Sequence, residues 1–206
     1  MDYQLEVIDL TNLPPANAVL CEKELDFYNR LKIQKRKTEW LGGRLALKKL
    51  LATYTGRPLT DFSILVPVGV GKPVITAEGG EVHIPFSLTH SNGFAVAAIA
   101  PDKKYIGIDL EKIASRIRVW KTDFFHPAEL SQEDDTFLTA LWTQKEAVVK
   151  LLGSGLTINT FDVRLVGGIP QFFNRALEIY QSLGSPQITL NTSSLISGFC
   201  FSVAVA

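Results

Sequence analysis

The sequence predicts an α+β fold of two pseudo-symmetric lobes, each a long helix packed on a mostly antiparallel sheet. Three observations predict it: features that recur in the same order in both halves, one long helical pattern in each half, and a small-residue strand pattern near the end of each half. The lobes are expected to span residues 1–101 and 102–206, with the active site in the cleft between them, where ligands commonly bind.

The recurring features join the segments "KKLLATYTGRPLTDFSILVPVGVGKPVI" (Lys48–Ile75) and "VVKLLGSGLTINTFDVRLVGGIPQFF" (Val148–Phe173). Each segment ends a helix with a Leu-Leu pair and a glycine, which is Gly56 in the first and Gly153 or Gly155 in the second. Each then continues through Leu-Thr into a β-branched run and turns through Gly and Pro before another strand.

Apolar residues at helical spacing predict the long helices. "TEWLGGRLALKKLLATYTG" stops at Gly56, and "DTFLTALWTQKEAVVKLLG" has Asp135 or Thr136 as N-cap and Gly153 after its end. The closing strands are predicted from the alternating, small-residue segments "GFAVAAIA" and "GFCFSVAVA".

Composition excludes several protein classes. With 206 residues, 46% of them hydrophobic and 20% charged, the chain is globular rather than disordered or fibrous. The 21 Lys and Arg residues balance the 21 Asp and Glu residues, so net charge gives no case for a nucleic-acid partner. The sequence has no signal-peptide features and no run of about 20 apolar residues, so we expect a cytoplasmic protein without a membrane span.

A basic segment lies between Lys23 and Arg57. Its further basic residues are Arg30, Lys32, Lys35, Arg36, Lys37, Arg44, Lys48 and Lys49. Such a run is typical of a solvated helix face, and this is our interpretation of the segment. Cys21 and Cys200 lack metal-type spacing and are expected to be reduced thiols.

Two carboxylates interrupt the apolar segment "YIGIDLEKI" (Tyr105–Ile113). If this segment is a strand, Asp109 and Glu111 point to the same face, about 6 to 7 Å apart, and repel each other unless water or a cation lies between them. A hard divalent cation would remove the conflict. On the second long helix, Glu146 would serve as a third carboxylate; an exposed ion pair with Lys150, four residues later, is the alternative.

Two short segments offer groups that bind phosphate. In "FSLTHSNG" (Phe86–Gly93), His90 lies between two hydroxyl residues in a predicted turn, which suits an anion, although a structural histidine is the alternative. "GVGKP" (Gly69–Pro73) is a Gly-rich turn with Lys72, but the P-loop pattern is absent. Together with three carboxylates, these segments predict a magnesium-dependent reaction at a phosphate ester.

The ordered motifs "GKP" (71–73), "FSLTHS" (86–91), "GIDLE" (107–111) and "WTQKEAVVK" (142–150) resemble the 4'-phosphopantetheinyl transferase superfamily. The resemblance implies that family's fold and the transfer of 4'-phosphopantetheine from coenzyme A to a serine of an acyl or peptidyl carrier protein. Because the chain carries two similar halves, it resembles the two-lobed, Sfp-like type, for which a monomer is implied.

The resemblance also implies roles for residues at the reacting phosphate. Asp109, Glu111 and Glu146 match the ligands of Mg²⁺, with Mn²⁺ as a substitute. Glu146, or a water on the metal, matches the base that activates the serine, and Lys150 matches the lysine that protonates or neutralises the leaving phosphate.

The coenzyme A nucleotide is implied to contact a second group of residues. Arg44 matches an arginine near the 3'-phosphate, Lys72 matches a lysine at the nucleotide, and His90, with Thr89 beside it, matches a histidine on a phosphate. A metal-dependent phosphohydrolase would use the same acids, and a non-catalytic coenzyme A binder would need only the phosphate-binding segments. The sequence does not indicate which carrier protein or pathway is served.

Overall fold

The structure is a computed structural model that describes residues 2–67, 72–115, 119–153 and 158–206. The chain forms two compact units, Met1–Asp102 (unit 1) and Lys103–Ala206 (unit 2). Among the helices of the described ranges, none has the length and apolar character needed to cross a membrane.

The described part of unit 1 contains two α-helices and six strands. In chain order these are β1 (Gln4–Asp9), α1 (Glu22–Arg30), α2 (Gln34–Thr55), β2 (Ser63–Leu65), β3 (Val74–Ala77), β4 (Gly80–Val82), β5 (Phe86–Ser91) and β6 (Phe94–Ile99). One antiparallel sheet has the strand order β1-β6-β5, and a second has the order β2-β3-β4.

The described part of unit 2 contains three α-helices and five strands. These are β7 (Ile106–Lys112), α3 (Val119–Phe124), α4 (Asp135–Leu151), β8 (Val163–Val166), β9 (Ile169–Phe172), α5 (Asn174–Ser182), β10 (Thr189–Ser193) and β11 (Phe199–Val205). One antiparallel sheet has the order β10-β11-β7, and β8 and β9 form a hairpin.

The same strand topology occurs within each unit. The first strand pairs with the last, the last pairs with the strand before it, and the long helix after the first strand packs on this sheet. The predicted α+β class, with one long helix on an antiparallel sheet in each half, is therefore confirmed. The predicted placement of the active site in a cleft stays a prediction.

Gly107 lets α4 pack closely on β7. A methyl group at Gly107 would lie 1.9 Å from the carbonyl oxygen of Ala147 and 2.4 Å from the backbone nitrogen of Leu151. The helix backbone therefore lies directly on the strand backbone, and a side chain at position 107 would force the two apart. This close packing holds the polar side chains of α4 beside those of β7.

Each unit also buries a lysine of its long helix. In unit 1, the Lys48 ammonium pairs with Glu24 and donates to the carbonyl oxygen of Val19 at 2.8 Å. In unit 2, the Lys145 ammonium lies 2.9 Å from Glu129 and donates to the carbonyl oxygen of Phe124 at 3.0 Å. Both lysines and both glutamates are at most 3% exposed.

The buried Lys48 corrects one sequence interpretation. The basic segment was interpreted as a solvated helix face, yet Lys48 is 0% and Arg44 8% exposed. The interpretation is wrong for these two residues, because each has polar partners inside unit 1. Lys49 is exposed, as the interpretation predicts, and its ammonium pairs with Glu6 at 2.9 Å.

Two local predictions are wrong in position. His90 lies within strand β5 rather than in a turn, because the β5–β6 turn is made by Asn92 and Gly93, with positive φ of 42° and 91°. Helix α4 has Asp134 as N-cap, one residue before the predicted candidates, and its carboxylate accepts from the backbone N–H of Phe137. The alternative helix end at Gly155 lies outside the described residues.

Candidate functional site

Two of the predicted carboxylates lie on the face of β7 that packs against α4. Gly107 faces the backbone of α4, and side chains two and four residues further along a strand share that face. Asp109 and Glu111 are these residues. Asp109 is only 5% exposed, so its carboxylate lies beneath the helix rather than in open solvent.

Helix α4 brings Glu146 and Lys150 to the same place. The Lys150 ammonium lies 2.7 Å from Oδ1 of Asp109 and donates to the carbonyl oxygen of Ile108 at 3.0 Å. Burial raises the pKa of Glu146, the charge of Asp109 raises it further, and Glu111 adds to the rise while Lys150 opposes it. Glu146 therefore lies close enough to Asp109 and Glu111 to be affected by their charges, and the role of the three carboxylates as a metal site stays a prediction.

The donor chemistry of this group fits a hard cation. Within residues 2–67, 72–115, 119–153 and 158–206, no three Asp, Glu, His or Cys side chains stand close enough together to hold a metal ion in their present conformations. Asp109, Glu111 and Glu146 nevertheless bring three carboxylates to one partly buried place, and carboxylate oxygens are the ligands that Mg²⁺ prefers. Burial and, after it, repulsion from Asp109 raise the pKa of Glu146, and a cation would offset both effects.

Unit 1 contains a cavity of about 470 Å³. Residues of α1, α2 and β5, together with Leu31 directly after α1, line it: Phe27, Leu31, Arg36, Glu39, Trp40, Gly43, Arg44, Leu88, Thr89 and His90. The lining combines apolar and aromatic side chains with several basic ones. This combination suits a ligand with a flat apolar part and an anionic group, and the volume lies in the usual range for small-molecule sites.

Arg44 is held in a fixed position at this cavity. Its Nε donates to the carbonyl oxygen of Ile64 at 3.2 Å, and its guanidinium lies 4.3 Å from the centre of the Trp40 ring. Burial lowers the pKa of Arg44 to about 10, so the side chain remains a cation at neutral pH. A partly desolvated, preorganised guanidinium is well suited to bind phosphate.

Of the other residues predicted to contact the nucleotide, two line this cavity and one does not. His90 and Thr89 line the cavity with Arg44. Lys72, although it is among the described residues, is exposed and does not line this cavity. The Gly-rich part of its turn, through Gly71, lies outside the described residues.

Glu39 is a cavity residue that the sequence analysis did not single out. It lies on α2 with the residues Arg36, Trp40, Gly43 and Arg44, which also line the cavity. These five positions follow the spacing i, i+3, i+4, i+7 and i+8, which is one face of a helix. That spacing is present in the sequence, but the apolar pattern of the same helix predicts only its core.

Comparison with known proteins covers both units. The profile described as "4'-phosphopantetheinyl transferase superfamily" matches residues 105–191. A 4'-phosphopantetheinyl transferase from Bacillus subtilis is 37% identical over 105 residues, which cover 46% of this chain and 44% of that protein. The 4'-phosphopantetheinyl transferase psf-1 of Bacillus pumilus is 28% identical over 148 residues, 66% of this chain and 59% of that protein.

A third relative is shorter. The holo-[acyl-carrier-protein] synthase of Petrotoga mobilis is 32% identical over 101 residues, which cover 44% of this chain and 84% of that protein. By contrast, this chain spans less than two thirds of the length of the two Bacillus proteins. The match to psf-1 is longer than either unit alone, so the similarity is not confined to one unit.

Proposed function

The chain belongs to the 4'-phosphopantetheinyl transferase superfamily, and from this premise we propose that it transfers 4'-phosphopantetheine from coenzyme A to a serine of an apo carrier protein. Adenosine 3',5'-bisphosphate would be the second product. The observation that carries the proposal is the meeting of Asp109, Glu146 and Lys150 in unit 2, where acids and a lysine share one partly buried place.

Asp109, Glu111 and Glu146 would hold Mg²⁺, or Mn²⁺ in its place. When bound, the cation supplies charge neutralisation at the pyrophosphate of coenzyme A. Of these side chains, Asp109 is already buried and held in place by its contact with the Lys150 ammonium.

Glu146 and Lys150 would move the protons of the transfer. The serine oxygen of the carrier forms a bond to the β-phosphorus, and the bond from that phosphorus to the bridging oxygen breaks. Glu146 would accept the serine proton; a raised pKa makes its carboxylate a stronger base than an exposed one. Lys150 would give a proton, or its positive charge, to the phosphate that leaves with the nucleotide.

The cavity of unit 1 would take the nucleotide end of coenzyme A. Arg44 supplies positive charge and His90 a ring nitrogen for hydrogen bonding to the 3'-phosphate, and Thr89 lies beside His90. Trp40 and Phe27, whose rings stack at 5.3 Å, offer an aromatic surface to the base. Lys72 would contact the nucleotide from its exposed position before β3.

The decisive experiment is a carrier-loading assay. The protein is incubated with coenzyme A, Mg²⁺ and a panel of apo carrier proteins from fatty-acid, polyketide and nonribosomal-peptide synthesis. The carriers are then weighed by mass spectrometry. We expect at least one carrier to gain the mass of one phosphopantetheine, and the same carrier with its acceptor serine replaced by alanine to gain nothing.

Two controls separate the transferase from its alternatives. A chelator should stop loading, and excess Mg²⁺ or Mn²⁺ should restore it; loading that persists in chelator argues against the metal. Phosphate release from small esters in the absence of any carrier would favour a phosphohydrolase. Binding of coenzyme A without loading of any carrier would favour a non-catalytic binder.

A further inference from the structure

The cavity of unit 1 contains a carboxylate as well as basic side chains. Glu39 lines it together with Arg36, Arg44 and His90. The Glu39 side chain is only 17% exposed, so water screens its charge poorly. A cavity that recognised a phosphate alone would gain nothing from a neighbouring carboxylate, because the two negative groups repel each other. A second ligand feature must therefore be considered.

The basic partners of Glu39 stand too far away to hydrogen-bond with it. Nδ1 of His90 lies 3.7 Å and Nζ of Lys35 lies 3.8 Å from Oε1 of Glu39, whereas N–H···O bonds in proteins measure about 2.7–3.2 Å. Lys35 is also 81% exposed, so its attraction is weakened by solvent. The carboxylate thus keeps acceptor capacity at the cavity surface.

A ligand that suits both charges needs an anion and a hydrogen-bond donor side by side. Because Oε1 of Glu39 and Nδ1 of His90 are 3.7 Å apart, an anion on His90 lies next to Glu39. In adenosine 3',5'-bisphosphate, the 2'-hydroxyl sits on the carbon beside the one that carries the 3'-phosphate. The amino group of the base lies across the nucleoside and cannot take this place.

We propose that Glu39 accepts a hydrogen bond from the hydroxyl next to the phosphate, and that the cavity thereby selects a ribonucleoside 3'-phosphate over its deoxy form. The inference rests on the proposed function, since it takes the 3'-phosphate of coenzyme A as the anion at His90 and Arg44. A deoxy ligand loses this hydrogen bond and leaves the carboxylate facing the phosphate with no donor between them. The cavity then discriminates against the deoxy ligand through one lost hydrogen bond and through repulsion between the carboxylate and the phosphate.

The test compares two nucleotides by calorimetry, adenosine 3',5'-bisphosphate and 2'-deoxyadenosine 3',5'-bisphosphate. We expect the wild type to bind the ribonucleotide at least about tenfold more tightly, since hydrogen bonds to charged groups have that effect or a larger one. In Glu39→Ala the ratio of the two affinities should fall close to one. Lys35→Ala, which removes an exposed partner and keeps the carboxylate, is the matched control and should retain the preference.

Equal affinities of the wild type for the two nucleotides would overturn the inference, and so would a preference that survives in Glu39→Ala. If Glu39→Ala fails to fold, which circular dichroism would reveal, Glu39→Gln keeps the size of the side chain without its charge and should show a smaller preference than the wild type. The carrier-loading assay keeps the two proposals apart. Loading from coenzyme A without a ribonucleotide preference rejects the role of Glu39 alone, whereas failure to load any carrier rejects the transferase.

Discussion

Units 1 and 2 share a strand topology but differ in the chemistry of their side chains. In each unit, the long helix packs on a sheet in which the first strand pairs with the last. Each unit also fixes that helix with a buried pair, Lys48 with Glu24 in unit 1 and Lys145 with Glu129 in unit 2. The three carboxylates Asp109, Glu111 and Glu146 lie in unit 2, and the cavity lined by Arg36 and Arg44 lies in unit 1. The same arrangement of helix and strands therefore supports a different candidate site in each unit.

The first strands show where the units diverge. The last strand of each unit begins at a Gly-Phe pair, which gives a common reference point. Glu6 and Asp109 are counterparts, because each pairs with the third residue after that Phe. By the same count, Ile8 and Glu111 are counterparts. Unit 2 therefore has a second acid where unit 1 has a buried isoleucine, and this difference creates a pair of carboxylates on one face.

The largest effect is expected when one of the three carboxylates Asp109, Glu111 and Glu146 is removed. Asp109→Ala should reduce carrier loading by about a hundredfold or more, because a metal site supplies several kcal/mol of charge stabilisation. The counterpart change Glu6→Ala, in an exposed pair with Lys49, should leave loading near the wild-type rate. Rates are measured in saturating Mg²⁺. Equal rates for the two variants would remove the functional difference between the strands.

Breaking the shared buried pairs should affect both units alike. Lys48→Met and Lys145→Met should each lower the free energy of unfolding by about 3–5 kcal/mol, because each leaves a buried carboxylate without its cation. Lys49→Met, which removes an exposed ion pair, should lower it by less than about 1 kcal/mol. Urea unfolding at neutral pH measures all three. Buried-pair variants as stable as Lys49→Met would show that these pairs do not fix the helices.

The cavity of unit 1 should control binding rather than chemistry. Arg44→Ala should raise KM for coenzyme A by roughly ten- to 150-fold, the effect of one lost hydrogen bond to a charged group, and change kcat less. Arg57→Ala, at a half-buried arginine of the same unit that does not line the cavity, is the control. The wild type should discriminate against dephospho-coenzyme A and Arg44→Ala should do so much less. Equal discrimination by both would show that Arg44 does not bind the 3'-phosphate.

The two units also tolerate an added methyl group differently. Gly107→Ala places a methyl group against the backbone of α4, and relief of that overlap should cost about 1–3 kcal/mol of stability. In unit 1, a methyl at Gly42 meets the end of the Leu10 side chain, which can rotate away. Gly42→Ala should therefore destabilise less than Gly107→Ala in thermal unfolding. The reverse order would contradict the close packing of α4 on β7.

Much of this fold could be predicted because its signals are local. The apolar spacing of α2 and α4 and the alternation of β6 and β11 identify these elements without knowledge of the rest of the chain. The hairpin turn at Asn92-Gly93 was also readable, since Asn-Gly favours a two-residue turn. The hydroxyl residues around His90 led to a turn being predicted two residues too early.

The buried pairs could not be predicted in the same way. Lys48 and its partner Glu24 are 24 residues apart in sequence, and Lys145 and Glu129 are 16 apart. A lysine that follows a helical pattern looks the same whether it meets solvent or a buried acid, so only the tertiary structure separates Lys48 from Lys49. Glu39 was missed for another reason: its helical face mixes apolar, acidic and basic residues and gives no single hydrophobic signal.

The smallest expected effect concerns the charge of Glu146 in metal-free protein. Its pKa is raised in the folded state from an ordinary value of 4.5, so folding favours the protonated form. The stability that this proton contributes is fully present below pH 4.5 and is lost as the pH rises through the folded pKa. Glu146→Gln removes the charge and should therefore be more stable than the wild type at pH 7 in chelator, with a gain in stability that shrinks toward pH 4.

Added Mg²⁺ should narrow this difference in stability by stabilising the wild type, whereas Glu6→Gln should show neither trend. Urea unfolding across this pH range measures the effect, and a gain that did not depend on pH would show that the partly buried charge of Glu146 is not its cause.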